Sequence, residues 1–261
     1  MNRRDFLAAS AAAGTAALAG QPVAAQQGGA RDYIELRRYQ TLNSTRTGVL
    51  NNFLRDVAIP AYGRAGLGPT GVFSVLYGEN APSVYVLLTH RSLASVEALR
   101  DRLADDAEYN RAGASFLAAT IADPGYVRYE SSIMRGFQGM PQVTPPATAT
   151  GNRPRIFELR RYESHTEAAG RRKVEMFDKG EIAIFRKTGL TPVFFGEGLA
   201  GANLPHLTYM LTFENMAARD AAWAVFTADP EWAVMSRDPY YADTVSAITD
   251  VILRPAAFSQ S

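Results

Sequence analysis

From Tyr33 to Tyr39 apolar and charged positions alternate, with Ile34 and Leu36 set against Glu35 and Arg37. This period of two, in a run rich in strand formers, predicts a strand over 32–40. The period then lengthens. Leu50, Phe53, Leu54, Val57 and Ala61 fall on one face of a helix over 45–63, which Pro60 should end or bend. Residues 72–77 and 84–90 read as strands joined by a turn that holds Gly78, Asn80 and Pro82. Leu93, Val96, Leu99 and Leu103 suit a second helix, a further helical piece follows over 106–120, and 126–134 closes the unit as a strand.

The same order returns downstream. Glu35-Leu36-Arg37-Arg38-Tyr39 reappears as Glu158-Leu159-Arg160-Arg161-Tyr162, an offset of 123. That offset carries Gly66-Leu67 onto Gly189-Leu190, and Gly78, Asn80 and Pro82 onto Gly201, Asn203 and Pro205. It also carries Glu108-Tyr109 onto Glu231-Trp232. A gap-free register of this length marks an internal repeat. The second copy should have a helix over 167–187, strands over 193–199 and 207–213, a helix from 216 and a last strand through 251–253. In its first helix Lys173 and Glu181 stand where the first copy has apolar Leu50 and Ala58.

Each copy is a βαββαβ unit, the ferredoxin-like arrangement. Helices cover one sheet face and the other needs a partner. The expected fold is therefore α+β, two tandem ferredoxin-like repeats packed as a pseudo-dimeric α/β barrel. The repeats span 31–138 and 154–258, and residues 139–153, rich in Pro, Thr and Ala, read as a linker.

The first-strand motif, its second copy, and Asp229-Pro230-Glu231-Trp232 with Trp223 and Phe226 before it resemble the NIPSNAP family, a branch of the dimeric α/β-barrel superfamily. Asp106-Ala107-Glu108-Tyr109 is the weaker counterpart in the first copy. The resemblance covers nearly all of the chain after its first segment, twice. It implies a fold shared with cofactor-free monooxygenases, haem-degrading proteins and small-molecule-binding barrels, and it names no activity.

The first 25 residues do not fit the repeat. Arg3-Arg4 before Phe6-Leu7, an Ala-rich apolar run over 8–19 and small residues at Ala24-Ala25 read as a twin-arginine signal peptide. The apolar run is too short for a membrane span, which needs about 20 residues. Periplasmic or otherwise exported protein is expected, with no stable span once the signal is removed. Loss of residues 1–25 leaves 25 basic and 25 acidic side chains, a balance that argues against nucleic acid as a partner. The absence of cysteine removes thiolate chemistry and disulfides. Three histidines, His90, His165 and His206, offer no ligand spacing, so no metal site is expected.

Glu35, Arg37 and Tyr39 share one strand face, as do Glu158, Arg160 and Tyr162. With Ile34 and Leu36 assigned to the helices, these polar side chains should line the barrel interior. There a Glu–Arg pair either orients an anionic or carbonyl-bearing ligand or fixes sheet register. His90 ends a strand, where partial exposure is expected; an acid/base group or a haem ligand is the alternative. Asp229 should cap a short helix, with Pro230 in its first turn and Trp232 anchoring it on the sheet or at the barrel mouth. Trp223 and Phe226 read as core, and Arg171-Arg172-Lys173 as a solvated face. No cofactor is predicted, with haem or another small ligand left open, as is a homo-oligomer. Three functions fit: a small-molecule-binding barrel, a metal-free monooxygenase- or isomerase-like enzyme with catalytic residues unassigned, and a structural or partner-binding protein.

Overall fold

The computed structural model describes residues 30–146 and 155–261. The segment read as a signal peptide lies outside the described residues, as do positions 147–153 of the linker. The first repeat comprises β1 (Tyr33–Gln40), helix α1 over 44–64, β2 (Gly71–Tyr77), β3 (Ser83–His90), α2 (Leu93–Asp105), α3 (Ala107–Leu117) and β4 (Arg128–Gly136). The second comprises β5 (Ile156–Glu163), helix α4 over 167–187, β6 (Thr191–Ala200), β7 (His206–Phe213), α5 (Met216–Thr227), α6 (Pro230–Met235) and β8 (Ala247–Pro255).

Side-chain caps start the helices where the sequence changes period. Asn43, Ser92, Asp106, Thr166 and Asn215 each accept a hydrogen bond from a backbone N–H three residues on. Asp229 accepts from the N–H groups of both Glu231 and Trp232, with Pro230 in the first turn, as expected of that motif. The hairpin turns repeat as well: Asn80 (φ 65) and Asn203 (φ 62) both adopt the left-handed conformation that asparagine tolerates.

Pro60 does not end its helix. Helix α1 runs from Ser44–Phe53 through a π turn, Leu54–Ala58, into Ile59–Arg64, with Pro60 in the first turn of the last piece. A π turn, Phe177–Glu181, recurs at offset 123 in α4, where Ala183 replaces the proline. The proline is therefore not its cause.

The eight strands close into one barrel in the order β1-β3-β2-β8-β5-β7-β6-β4. Each repeat supplies a four-stranded antiparallel sheet, and the sheets join edge to edge through β2–β8 and β4–β6. Closure leaves no free sheet edge. The C-terminal tail crosses back onto the first repeat, where Ala256 and Gln260 donate backbone hydrogen bonds to Val72 and Thr70.

The barrel interior is apolar, and this corrects the expected facing of the strands. Ile34, Leu36, Phe157 and Leu159 pack inside with Phe73, Leu87, Phe194 and Leu253. Phe73 meets Phe157 edge-on at 4.8 Å, joining the two repeats. Glu35, Arg37, Tyr39, Glu158, Arg160 and Tyr162 point outward instead, into the layers between sheet and helices. Tyr39 belongs to the core under the first-repeat helices and Tyr162 to that under the second. A small barrel has room inside for side chains only, and branched or aromatic apolar groups fill it. The helix layers are where charged groups can keep partners.

Candidate functional site

The six polar first-strand residues form two clusters, one under each helical layer. In the first repeat, Arg37 Nε and Nη2 donate to the two oxygens of Glu35 at 2.7 and 3.0 Å. This bidentate geometry is favoured for a guanidinium on a carboxylate. Arg37 Nη1 donates to the Tyr62 hydroxyl at 3.1 Å, and Ser131 Oγ donates to Glu35 at 2.8 Å. Tyr62 lies one turn beyond the π turn in α1, and Ser131 lies opposite Arg37 on β4.

His90 is fully buried, not partly exposed as expected of a strand end. Its Nε2 meets Glu35 at 3.1 Å and its Nδ1 meets Ser95 Oγ at 3.1 Å. The ring therefore orients the carboxylate from below. Burial alone would raise the Glu35 pKa. Hydrogen bonds from His90 and Arg37, with the guanidinium charge, reverse this and hold the carboxyl at about 2.

Above this network opens a cleft of about 800 Å³. Its floor is Arg37 and Glu35, and Tyr39, Tyr109, Tyr126 and Tyr129 stand along its walls. Tyr39 packs against Tyr126 and Tyr129 at 5.3 and 5.0 Å. Burial raises the phenol of Tyr39, and pushes that of Tyr109 up to about 12. On the helical side, Val96 and Arg100 of α2 face the opening.

The second repeat fills the corresponding space with its own side chains. At offset 123, Val96 becomes Arg219, Arg100 becomes Trp223, Tyr62 becomes Phe185 and His90 becomes Phe213. Arg219 Nη2 donates to Glu158 at 2.5 Å, and Trp223 Nε1 donates to its other oxygen at 2.7 Å. Arg160 also donates to Glu158, at 3.2 Å, and lies over the Trp223 ring at 4.9 Å. Asp250 on β8 shares both arginines, accepting at 3.4 and 3.2 Å. Burial and the adjacent Glu158 charge push the Asp250 carboxyl up to about 6. Trp223 is thus a hydrogen-bonding partner of Glu158 and not simply core.

Lys173 is buried, so the basic run at 171–173 is not wholly a solvated face. Its Nζ meets Glu181 at 2.8 Å, and Glu181 is also buried. Trp232 anchors α6 on this helical layer: its ring packs on Phe226 at 4.5 Å and lies 5.7 Å from Lys173 Nζ. His206 lies apart from both clusters; burial, with the nearby Arg161 charge, lowers its pKa to about 4. Among the described residues, no three His, Cys, Asp or Glu side chains are grouped to hold a metal ion. None of the described helices is long and apolar enough to cross a membrane.

The clusters are built from a motif that the chain carries twice, at 35–39 and 158–162. The family model NIPSNAP matches residues 34–124 and 157–260. The chain belongs to the NIPSNAP family. Each match falls on one repeat, so this NIPSNAP chain carries the domain twice. An uncharacterised NIPSNAP-like domain protein from Burkholderia xenovorans is 24% identical over 40% of this chain and 88% of its own, with a TM-score of 0.37. A candidate monooxygenase from Fusobacterium nucleatum is 6% identical with a TM-score of 0.52, over 87% of this chain and 93% of its own. An anthrone oxidase-like protein is 10% identical with a TM-score of 0.51, over 88% and 93%. The last two share the barrel fold across the full tandem. Among curated proteins no sequence matches this NIPSNAP chain.

Sequence reasoning found the strand residues of both clusters but missed their helical partners Tyr62, Arg219 and Trp223, and the cleft residue Arg100. The readable signal was the exchange at offset 123. A polar residue on α5 replaces an apolar one on α2, and an aromatic residue replaces a cation.

Proposed function

We propose that this NIPSNAP protein binds a small molecule in the cleft of its first repeat, and that the second repeat is a closed structural counterpart. The observation that carries this reading is the asymmetry between equivalent positions. Over Arg37 there is a cleft of about 800 Å³, whereas over Arg160 the side chains of Trp223 and Arg219 occupy the space. A cleft of this size with a few convergent polar groups is suited to a small ligand. The Arg3-Arg4 segment supports export of the protein.

Acid–base catalysis needs a group that changes charge near working pH. Glu35 at about 2 and Tyr109 at about 12 keep fixed protonation across that range, which favours binding. Monooxygenase or oxidase chemistry, suggested by the names of two structural relatives, has only the shared fold behind it.

Ligand-observed NMR with a fragment library, followed by protein-observed spectra of the aromatic side chains, tests the reading. Hits should compete with one another and shift the ring signals of Tyr126 and Tyr129. Val96→Trp, which puts a large side chain into the cleft, should weaken them by at least about tenfold. A library without a hit in the cleft, or hits indifferent to Val96→Trp, would overturn it.

A further inference from the structure

The second repeat contains a template for what the first repeat's cleft accepts. The Arg160 guanidinium carbon lies over the Trp223 ring, 4.9 Å from its centroid. The indole N–H satisfies Glu158 at 2.7 Å. The counterparts of Arg160 and Glu158 are Arg37 and Glu35 on the floor of the cleft, and Arg100 stands where Trp223 would.

Two differences define the ligand. Glu35 already accepts from Arg37, Ser131 and His90, so a ring entering the cleft needs no N–H for it. Arg100 is exposed at the rim and forms no hydrogen bond or ion pair with the described residues. A guanidinium on the floor attracts an aromatic face, tyrosine rings along the walls pack on its edges, and an unpaired cation at the rim attracts an anion.

We propose that the cleft binds a planar aromatic acid, its ring stacked on Arg37 and its anionic group paired with Arg100. This deepens the binding function proposed above and rests on it. The same geometry explains why the second repeat needs no ligand: Trp223 supplies the ring from within the chain, and Arg219 pairs with Glu158 beside it.

Isothermal titration of the full chain with 2-naphthoate, 2-naphthalenemethanol and cyclohexanecarboxylate tests the proposal. The naphthoate should bind at one site per chain. The neutral alcohol loses the ion pair and the aliphatic acid loses the stacking, so each should bind at least about fivefold more weakly. Arg100→Met should weaken the naphthoate by about five- to tenfold and leave the alcohol unchanged. Arg100→Trp, which copies the second repeat, should abolish binding of both with the melting temperature retained. Cyclohexanecarboxylate binding as tightly as 2-naphthoate, or no naphthoate binding at all, would overturn the aromatic class; fragment hits in the cleft would still uphold the broader reading. Undiminished naphthoate binding in Arg100→Trp would overturn the cleft as the naphthoate site, and this proposal with it, while the fragment screen decides the broader reading.

Discussion

Glu181→Ala should destabilise the protein by about 3–5 kcal/mol, while Lys173→Leu combined with Glu181→Ala should return it to within about 1–2 kcal/mol of the wild type. The two side chains are buried and pair at 2.8 Å. Around the ammonium lie the rings of Phe177 and Trp232, at 4.8 and 5.7 Å. Burial holds the Glu181 carboxyl above its ordinary pKa even with Lys173 beside it, a sign that desolvation is not fully offset. Removing one partner leaves a charge with no water to solvate it. Removing both restores the solution that the first repeat uses, with Leu50 and Ala58 buried at these positions. The residual deficit is the void left where Glu181 carried more atoms than alanine. Urea unfolding at neutral pH, with the slope checked for constancy, measures all three. A double variant as unstable as Glu181→Ala would show that lost packing, not an orphaned charge, sets the cost.

A second large effect should appear in acid. Glu35 has a folded pKa of about 2 against an ordinary value of 4.5. A group depressed on folding stabilises the native state above its unfolded pKa, and that contribution is lost as pH falls from about 4.5 to about 2. The difference is worth about 3 kcal/mol. Glu35→Gln should therefore be about 3 kcal/mol less stable at pH 7 and should lack most of the acid limb between pH 4.5 and 2. Asp250 acts oppositely: its carboxyl is raised from 3.8 to about 6, so stability declines as pH rises through that interval. Asp250→Asn should remove the decline and leave the lower limb intact. Denaturation series from pH 7 to pH 2 separate the two groups, and an unchanged acid limb in Glu35→Gln would assign it to other carboxylates.

Repeat order, strand positions and helix starts were legible because they depend on local pattern, on hydrophobic period and capping chemistry. The facing of β1 and β5 was not. Alternation reveals that Glu35, Arg37 and Tyr39 share a face, but a sheet covered on both sides buries both faces. Along β3, Val84, Val86 and Leu88 turn to the helices while Tyr85 and Leu87 turn inward, and all are apolar. Hydropathy carries no sign there. The polar strand residues were legible as a group, but their partners come from α1, α2 and α5, and helical spacing marks Trp223 as core whether or not its N–H is bonded. His90 illustrates the same limit. A strand terminus suggests solvent, yet α2 begins three residues later and Ser95 closes over the ring.

Two identical subunits that pair into a barrel must carry every substitution twice, so closing one binding cleft closes both. Joining the halves in a single polypeptide removes that constraint. One half is then free to acquire an internal tryptophan and arginine as a permanent stopper. The other keeps its opening, held in shape by a neighbour whose corresponding space is filled.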